Sequence, residues 1–298
     1  MSIVKLDELL ARALKGKYAV GYFESWDQYS LEGAMEAAEE SNSPAILGFG
    51  GAVTDPNWLD GSGIEELAAL TVTLAERSKV PTAVLFNEAL TIEQIQRGLR
   101  TGCNAVMLDS SYYPFEENVS VTKKVVEMAH AQGAAVEAEL GHLPDAAGID
   151  QHNRLTTDPD QAADFVTRTG VDALAISIGN VHSLSEGEAS VDLDLVEQIH
   201  QCVPVPLVIH GGTGFPQKAI RQVIERGVAK FNYGTRLKQL FLEGLRSSIE
   251  PLPETFVIHD YIGSRSQMDV MACGKAMMKD DIIKMIRLYG SAGKANGW

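Results

Sequence analysis

Residues 206–214 read Pro-Leu-Val-Ile-His-Gly-Gly-Thr-Gly, so an apolar run passes through one histidine into a glycine-rich loop. The apolar run predicts a buried strand of a parallel sheet. Glycine has no Cβ, so the backbone N–H groups that follow His210 can approach an anion closely. This pattern indicates a metal-binding histidine beside a phosphate loop. A structural histidine before an ordinary glycine turn is the alternative.

The same alternation of apolar runs and amphipathic stretches continues along the whole chain. The predicted strands cover Tyr18–Phe23, Pro44–Gly50, Val80–Phe86, Ala105–Asp109, Ala134–Leu140, Ala173–Ile178, Pro206–His210 and Ala229–Asn232. Helical patterns lie between them, near residues 28–41, 63–78, 91–101, 119–132, 158–169, 192–202 and 216–227. Repeated strand–helix units predict a parallel sheet. Eight such units fit an α/β fold of the (β/α)₈ TIM-barrel type better than an open doubly wound sheet.

The chain of 298 residues is therefore predicted to form a single (β/α)₈ barrel domain, with a C-terminal helical tail from about residue 254. A formal net charge of −15 argues against nucleic acid and against an anionic membrane surface as partners. The N-terminus lacks the layout of a signal peptide, and no apolar run is long enough to span a bilayer. The 3 cysteines are widely separated, which fits a reducing compartment, so we expect a cytoplasmic protein.

Polar residues collect at the carboxyl ends of the predicted strands, where TIM-barrel enzymes have their active sites. They are Glu24, Asn87, Glu88, Asp109, Glu139, His182, His210 and Asn232. His182 and His210 follow adjacent strands, which would bring two imidazoles within reach of one cation. Glu88, Asp109 or Glu139 could supply a third ligand from across the barrel. Two histidines and one carboxylate suit Zn²⁺, and also Fe²⁺, Mn²⁺ or Co²⁺.

A second glycine turn follows the eighth predicted strand and starts a helix. Loops after the seventh and eighth strands, together with a helix N-terminus, form the usual phosphate site of such barrels. The predicted phosphate-binding residues are Gly211, Gly212, Thr213, Gly214, Asn232, Gly234 and Thr235. The presence of both loops is a more specific indication of a phosphate site than either loop alone.

Longer motifs support a family assignment. The most specific are Met107-Leu108-Asp109-Ser110-Ser111, Val136-Glu137-Ala138-Glu139-Leu140-Gly141, Ile209-His210-Gly211-Gly212-Thr213-Gly214 and Ile286-Arg287-Leu288-Tyr289-Gly290-Ser291-Ala292-Gly293-Lys294-Ala295. With them the chain resembles, over nearly its whole length, the class II, metal-dependent fructose-bisphosphate and tagatose-bisphosphate aldolases. The resemblance implies a homodimeric or homotetrameric barrel lyase for a phosphorylated sugar. In that family Zn²⁺ polarises the ketose carbonyl and stabilises the enediolate.

The resemblance also implies roles for individual residues. His182 and His210 match the family's metal-binding histidines. Asp109 and Glu139 match carboxylates near the metal, at a second or alternate metal position. The two glycine loops match the family's phosphate loops.

The third strand departs from the family pattern. Family members carry His-Leu-Asp-His there, with the aspartate as the acid that protonates the departing aldehyde and the second histidine on zinc. This chain reads Leu85-Phe86-Asn87-Glu88. Asparagine cannot shuttle a proton near neutral pH, whereas glutamate can bind zinc as a harder, charged ligand.

Two further positions differ from the family. The family's Phe-Asn on the first strand is Phe23-Glu24 here, and the arginine for a second substrate phosphate has no clear counterpart. Arg265 is the nearest candidate for that second phosphate. The changes cluster at the reacting centre while the phosphate loops are retained, so we do not expect conventional fructose-1,6-bisphosphate as the substrate.

Three functions are consistent with these features. The first is aldol cleavage of another phosphorylated ketose or keto acid, with Glu24 or a residue of the 141–157 loop replacing the missing acid beside Asn87. The second is isomerisation or epimerisation of a sugar phosphate through the same enediolate, with Glu24 or Glu88 as the proton shuttle. The third is binding of a sugar phosphate without catalysis.

Overall fold

The structure is a computed structural model that describes residues 2–141, 143, 156–181, 184 and 187–298. The predictions that rest on His182 and on most of the 141–157 loop therefore concern residues outside the described set. His210, both glycine loops and the candidate carboxylates lie within it.

Eight parallel strands pair in sequence order and close into a barrel, with the last strand hydrogen-bonded to the first. The strands are β1 (Val20–Phe23), β2 (Ala45–Gly50), β3 (Thr82–Ala89), β4 (Ala105–Leu108), β5 (Ala135–Leu140), β6 (Ala173–Ile176), β7 (Leu207–Ile209) and β8 (Val228–Tyr233). The predicted TIM-barrel fold is confirmed. The predicted end of the third strand at Phe86 is wrong, because β3 continues to Ala89 through a register shift against β4.

Helices surround the barrel. They are α1 (Leu6–Gly16), α2 (Gln28–Glu40), α3 (Pro56–Trp58), α4 (Ile64–Arg77), α5 (Ile92–Arg100), α6 (Phe115–His130), α7 (Pro159–Thr169), α8 (Leu193–Cys202), α9 (Gln217–Glu225), α10 (Thr235–Ile249), α11 (Ile258–Tyr261) and α12 (Val270–Tyr289). A π-helical turn, Leu59–Gly63, joins α3 to α4. No helix in the described part of the chain is long and apolar enough to cross a membrane.

Local sequence signals set several helix ends. The side chain of Thr91 accepts a hydrogen bond from the Gln94 amide at 3.1 Å, which satisfies one of the free N–H groups at the start of α5. Asp158 caps α7 in the same way, with Pro159 in its first turn. Gly170 ends α7 with a φ of 74°, a conformation that glycine adopts without strain.

Helix α1 has no counterpart in the sequence-based prediction. Its buried side chains include Leu6, Leu9 and Leu10. They belong to one apolar cluster with residues near the starts of the strands, such as Val20 and Ala83. The helix therefore packs at the N-terminal end of the barrel, and the polar residues at the opposite end remain accessible.

The C-terminal helix α12 packs against α2 and α10. Lys275 and Lys279 of α12 form ion pairs with Glu36 and Glu40 of α2, at 2.6 Å and 2.8 Å. Helix α12 lies within the predicted C-terminal helical tail. The division between barrel and tail at about residue 254 stays a prediction.

Candidate active site

The carboxyl ends of the strands open into a cavity of about 310 Å³. His210, Asn87, Glu88 and Glu24 contribute to its walls, together with both glycine loops. The cavity lies where the chemistry of a TIM barrel is expected, because the loops after the strands meet there.

His210 directly follows β7, and its side chain is fully buried. Its Nε2 lies 2.9 Å from Oε1 of Glu137, a residue of β5. On the other side of the ring, Nδ1 lies 3.2 Å from Oε1 of Glu88 and 3.1 Å from Oε2 of Glu139. Three carboxylates from two strands therefore surround one imidazole.

The hydrogen bond to Glu137 decides which nitrogen of His210 is available to a ligand. An ionised carboxylate only accepts hydrogen bonds, so the Nε2 that faces Glu137 must carry a hydrogen. In the neutral imidazole the lone pair then lies on Nδ1, which faces Glu88 and Glu139. A carboxylate behind a histidine is the usual arrangement around a metal-binding histidine.

These contacts also shift the pKa values of both groups. Burial alone would lower the pKa of His210, but hydrogen bonds with Glu137, Glu139 and Glu88 outweigh burial and raise it well above its usual value. Burial alone would raise the pKa of Glu137, but Lys230 and His210 hold it below its usual value. Without a cation, His210 is therefore protonated and Glu137 ionised near neutral pH.

Glu88 has an unusual backbone conformation. Its φ is 50°, in the left-handed region that side chains other than glycine adopt at a cost. The backbone that directly follows β2 lies close by, since a Cβ added to Gly51 would stand 2.5 Å from the carbonyl oxygen of Glu88. The bulge at the end of β3 thus brings this carboxylate to His210.

The donors around His210 fit a divalent metal in their chemistry. The separations between Nδ1 and the two carboxylate oxygens are close to the spacing of roughly 3.4 Å expected between two ligands of a tetrahedral ion. Among the described residues, however, no three histidine, cysteine, aspartate or glutamate side chains are arranged to hold a cation. The described part of the chain supplies a partial donor set, and His182, the predicted second histidine, lies outside it.

A buried ion pair lies beneath the cavity and was not predicted. Lys230 of β8 contacts Glu137 with its Nζ 2.9 Å from Oε1 and 2.8 Å from Oε2, and both side chains are fully buried. Lys230 also donates to Oδ1 of Asn232 at 2.5 Å. The signal available in the sequence is spacing: a charged residue stands two positions before Glu139 and another two positions before Asn232, on the same face of each strand.

The two glycine loops are held against each other. The amide of Gly212 donates to the carbonyl of Asn232 at 2.8 Å, and a Cβ on Gly212 would stand 2.6 Å from that oxygen. The hydroxyl of Thr213 accepts a hydrogen bond from the amide of Arg236 at 3.2 Å, in the first turn of α10. That turn contains no acidic residue, so nothing in it opposes an anion.

Glu24 lies beside the second of these loops. Its Oε2 is 2.0 Å from the point where a Cβ on Gly234 would stand. Its Oε1 forms an ion pair with Lys238 of α10, at 3.0 Å. Lys238, which was not predicted as a site residue, also lines the cavity and partly neutralises this carboxylate.

Two other predicted residues, Asp109 and Arg265, are not among the residues that line the described cavity. Asp109 accepts a hydrogen bond from the Ser111 hydroxyl at 3.3 Å and is not among the residues that form the described cavity wall. Arg265 contacts both carboxylate oxygens of Glu32 at 2.8 Å and lies over the ring of Tyr29. It does not line the described cavity, and its role at a second phosphate stays a prediction.

Comparison with known proteins shows the family of the chain. Residues 4–294 match the family model described as fructose-bisphosphate aldolase class-II. The fructose-bisphosphate aldolase of Geobacillus stearothermophilus is 34% identical over 307 aligned residues, which cover 99% of each chain.

Solved structures give the same result. The crystal structure of the YdjI aldolase from Escherichia coli K12 superposes with a TM-score of 0.83, at 31% identity, and covers 99% of this chain and 100% of that one. A structure titled as a putative fructose-1,6-biphosphate aldolase, from Coccidioides immitis, has a TM-score of 0.84 at 24% identity, with 99% of both chains covered, and supports the fold alone. The chain belongs to the class II fructose-bisphosphate aldolase family, whose members are carbon–carbon lyases that generally depend on a divalent metal.

Proposed function

We propose that this protein catalyses the reversible aldol cleavage of a phosphorylated ketose or keto acid other than fructose-1,6-bisphosphate. His210 and Glu88, together with His182, would hold a divalent metal, with Zn²⁺ favoured over Mn²⁺, Fe²⁺ or Co²⁺. Such a metal would supply Lewis acidity for the carbonyl group of the ketose. Asp109 and Glu139 are proposed as a second or alternate metal position.

The observation that carries this proposal is the setting of His210. Glu137 contacts Nε2 of His210, so that Nδ1 is the nitrogen that lies beside Glu88 and Glu139. A purely structural histidine has no need of three surrounding carboxylates, and a divalent cation would neutralise the charge that they bring.

The phosphate of the substrate is assigned to the two glycine loops. Gly211, Gly212 and Thr213 line the cavity on one side, and Gly234 and Thr235 on the other. The hydrogen bond between the loops fixes their spacing before the substrate arrives. An anchor of this kind holds the carbonyl end of the ketose at a constant distance from His210.

A proton must also move at the substrate hydroxyl. As the carbon–carbon bond breaks, this hydroxyl loses its proton and becomes the aldehyde. Asn87 occupies the family's position for this proton transfer but cannot accept a proton near neutral pH. We assign the step to Glu24, which lines the cavity and keeps its carboxylate beside Lys238 at 3.0 Å. Asn87 would orient the substrate by hydrogen bonding.

A screen of phosphorylated ketoses with metal-loaded protein tests the proposal. Release of an aldehyde and a smaller ketose phosphate in equal amounts is expected. Deuterium exchange into the substrate without release of aldehyde would instead favour the isomerase or epimerase. The variant Glu24→Gln should lower kcat by about 100-fold or more, as expected for a lost proton-transfer group. Glu32→Gln, at the ion pair with Arg265 outside the described cavity, is the matched control.

The assembly and location of the protein are part of the same proposal. We infer a homodimer or homotetramer in the cytoplasm, from the family and from the absence of disulfide-type cysteine spacing. Analytical ultracentrifugation of the purified chain checks the oligomeric state, and a monomer at micromolar concentration would contradict it.

A further inference from the structure

Three buried polar atoms on cavity-lining residues have no hydrogen-bond partner among the described residues. They are the hydroxyl oxygen of Tyr22, Oδ1 of Asn87 and Nδ2 of Asn232. Their residues are 1%, 2% and 9% exposed, respectively. Buried polar atoms are normally satisfied, so unsatisfied atoms that share one cavity point to a polar ligand that completes their hydrogen bonds.

Tyr22 reaches this cavity from the barrel interior. It lies on β1 with its ring beneath Lys230, whose Nζ is 5.2 Å from the ring centroid. Its hydroxyl is 4.0 Å from the point where a Cβ on Gly50 would stand, and Oε1 of Glu24 is 3.4 Å from the same point. Tyr22 therefore presents its hydroxyl at the floor of the cavity, in the neighbourhood of the proposed proton-transfer group.

The phenol is suited to donate a hydrogen bond. Burial raises the pKa of Tyr22 well above its usual value, and the charges of Glu24 and Glu88 act in the same direction. The hydroxyl therefore keeps its proton throughout the physiological pH range. A neutral phenol both donates and accepts, which matches the hydrogen-bonding capacity of a sugar hydroxyl.

The orientation of the Asn232 side chain would allow it to donate a hydrogen bond to the same ligand. Lys230 can only donate hydrogen bonds, so the amide oxygen of Asn232 must face Lys230, at 2.5 Å. The amide nitrogen Nδ2 of Asn232 therefore points away from Lys230, and it is the atom that has no hydrogen-bond partner among the described residues. With the Asn87 amide oxygen as an acceptor, the three residues offer both donors and acceptors to hydroxyl groups.

The charges on the cavity wall disfavour a second phosphate. Among the described wall residues, Lys238 is the only lysine or arginine, and it is paired with Glu24. Glu88 adds a further carboxylate to the same wall. Arg265, the candidate for a second phosphate, is held by Glu32. A second phosphate dianion would therefore meet carboxylates, whereas a neutral hydroxylated carbon chain would not.

We propose that Tyr22 contacts the substrate and makes this cavity select a ketose with one phosphate and free hydroxyl groups over the corresponding bisphosphate. This inference rests on the proposed function, because it takes the two glycine loops as the site of the single phosphate. Beyond the proposed function, the inference assigns Tyr22 of β1 to the recognition of the carbon chain of the substrate.

Kinetics and calorimetry on the metal-loaded protein test this inference. Ketose 1-phosphates of several chain lengths are compared with the bisphosphates of the same sugars, on the wild type and on Tyr22→Phe. The monophosphates should have the higher kcat/KM by about tenfold or more, as expected when a charged group meets like charge. Tyr22→Phe should lower both affinity and kcat/KM for the monophosphate by about tenfold or more and leave the affinity for inorganic phosphate unchanged.

Tyr289→Phe is the matched control, because Tyr289 also has a buried hydroxyl without a described partner but does not line the described cavity. It should behave as the wild type does. A preference for bisphosphates, or a Tyr22→Phe variant that binds and cleaves monophosphates within about twofold of the wild type, overturns the inference. Binding that depends on the Tyr22 hydroxyl without any cleavage would contradict the proposed function and leave the assignment of Tyr22 supported.

Discussion

Glu88 combines a backbone φ of 50° with a carboxylate 3.2 Å from the imidazole of His210. Strain of this kind persists where the surrounding structure enforces it, and it is common at functional sites. Here the bulge in β3 and the close backbone of Gly51 enforce it. The strain at Glu88 therefore supports the proposed functional role of its side chain.

A pair of substitutions separates the strain at Glu88 from the role of its side chain. Glu88→Gly and Glu88→Ala both remove the carboxylate, but only glycine relieves the positive φ. We expect Glu88→Gly to be more stable than Glu88→Ala by about 1 kcal/mol, as measured by thermal unfolding. Both should lose metal affinity, as measured by equilibrium dialysis. Equal metal binding by the wild type and both variants would rule out Glu88 as a ligand.

The raised pKa of His210 predicts that metal affinity depends on pH. A metal must displace the Nδ1 proton, so affinity should rise about tenfold per pH unit as long as the pH is below this raised pKa. Calorimetry in buffers of different ionisation enthalpy should detect the released proton. An affinity that is constant between pH 6 and 8 would contradict the assignment.

The same pKa shift affects the stability of the metal-free protein. The pKa is higher in the folded state than in the unfolded state, because the carboxylates stabilise the imidazolium only in the folded protein. Its stabilising contribution is fully present below a pH of about 6.5 and is lost as the pH rises through the folded-state pKa. The melting temperature of metal-free protein is expected to fall over that range, and His210→Ala should remove this part of the pH dependence.

At the scale of elements, the two phosphate loops act as one unit because their backbones touch. A methyl group on Gly212 cannot be accommodated next to the carbonyl of Asn232, 2.6 Å from the added Cβ. Gly212→Ala should therefore push the loops apart and weaken binding of inorganic phosphate by about tenfold or more. Gly61→Ala is the matched control, since a Cβ there meets nothing within 4 Å. Equal phosphate affinities for both variants would refute the assigned site.

The elements also show what the sequence could and could not predict. The strands and their order follow from local alternation of apolar and amphipathic segments, which is why the barrel and the loops at its mouth were predictable. The Glu137–Lys230 pair joins residues 93 positions apart, and only closure of the barrel brings them together. The place of α1 depends likewise on packing against strand starts. A glutamate in the sequence does not indicate a positive φ, so the strained conformation of Glu88 could not be predicted.

At the scale of the whole molecule, the chain has the family fold. Residues 4–294 match the family model, and relatives cover nearly the full length. His210, Glu137 and Lys230 form a buried group that is connected by hydrogen bonds and lies at one side of the cavity. Asn87, Glu88 and Glu24, which the sequence predicts to depart from the family pattern, also line this cavity. This distribution agrees with retained metal and phosphate binding and a changed substrate.

Metal content after reconstitution tests the central claim most directly. Protein stripped with a chelator, incubated with Zn²⁺ and desalted should retain about one equivalent of metal per chain, as measured by mass spectrometry. His210→Ala should retain less than about 0.1 equivalent. A wild-type protein that retains less than about 0.1 equivalent of Zn²⁺, Mn²⁺, Fe²⁺ or Co²⁺ would contradict a metal-dependent aldolase mechanism for this chain.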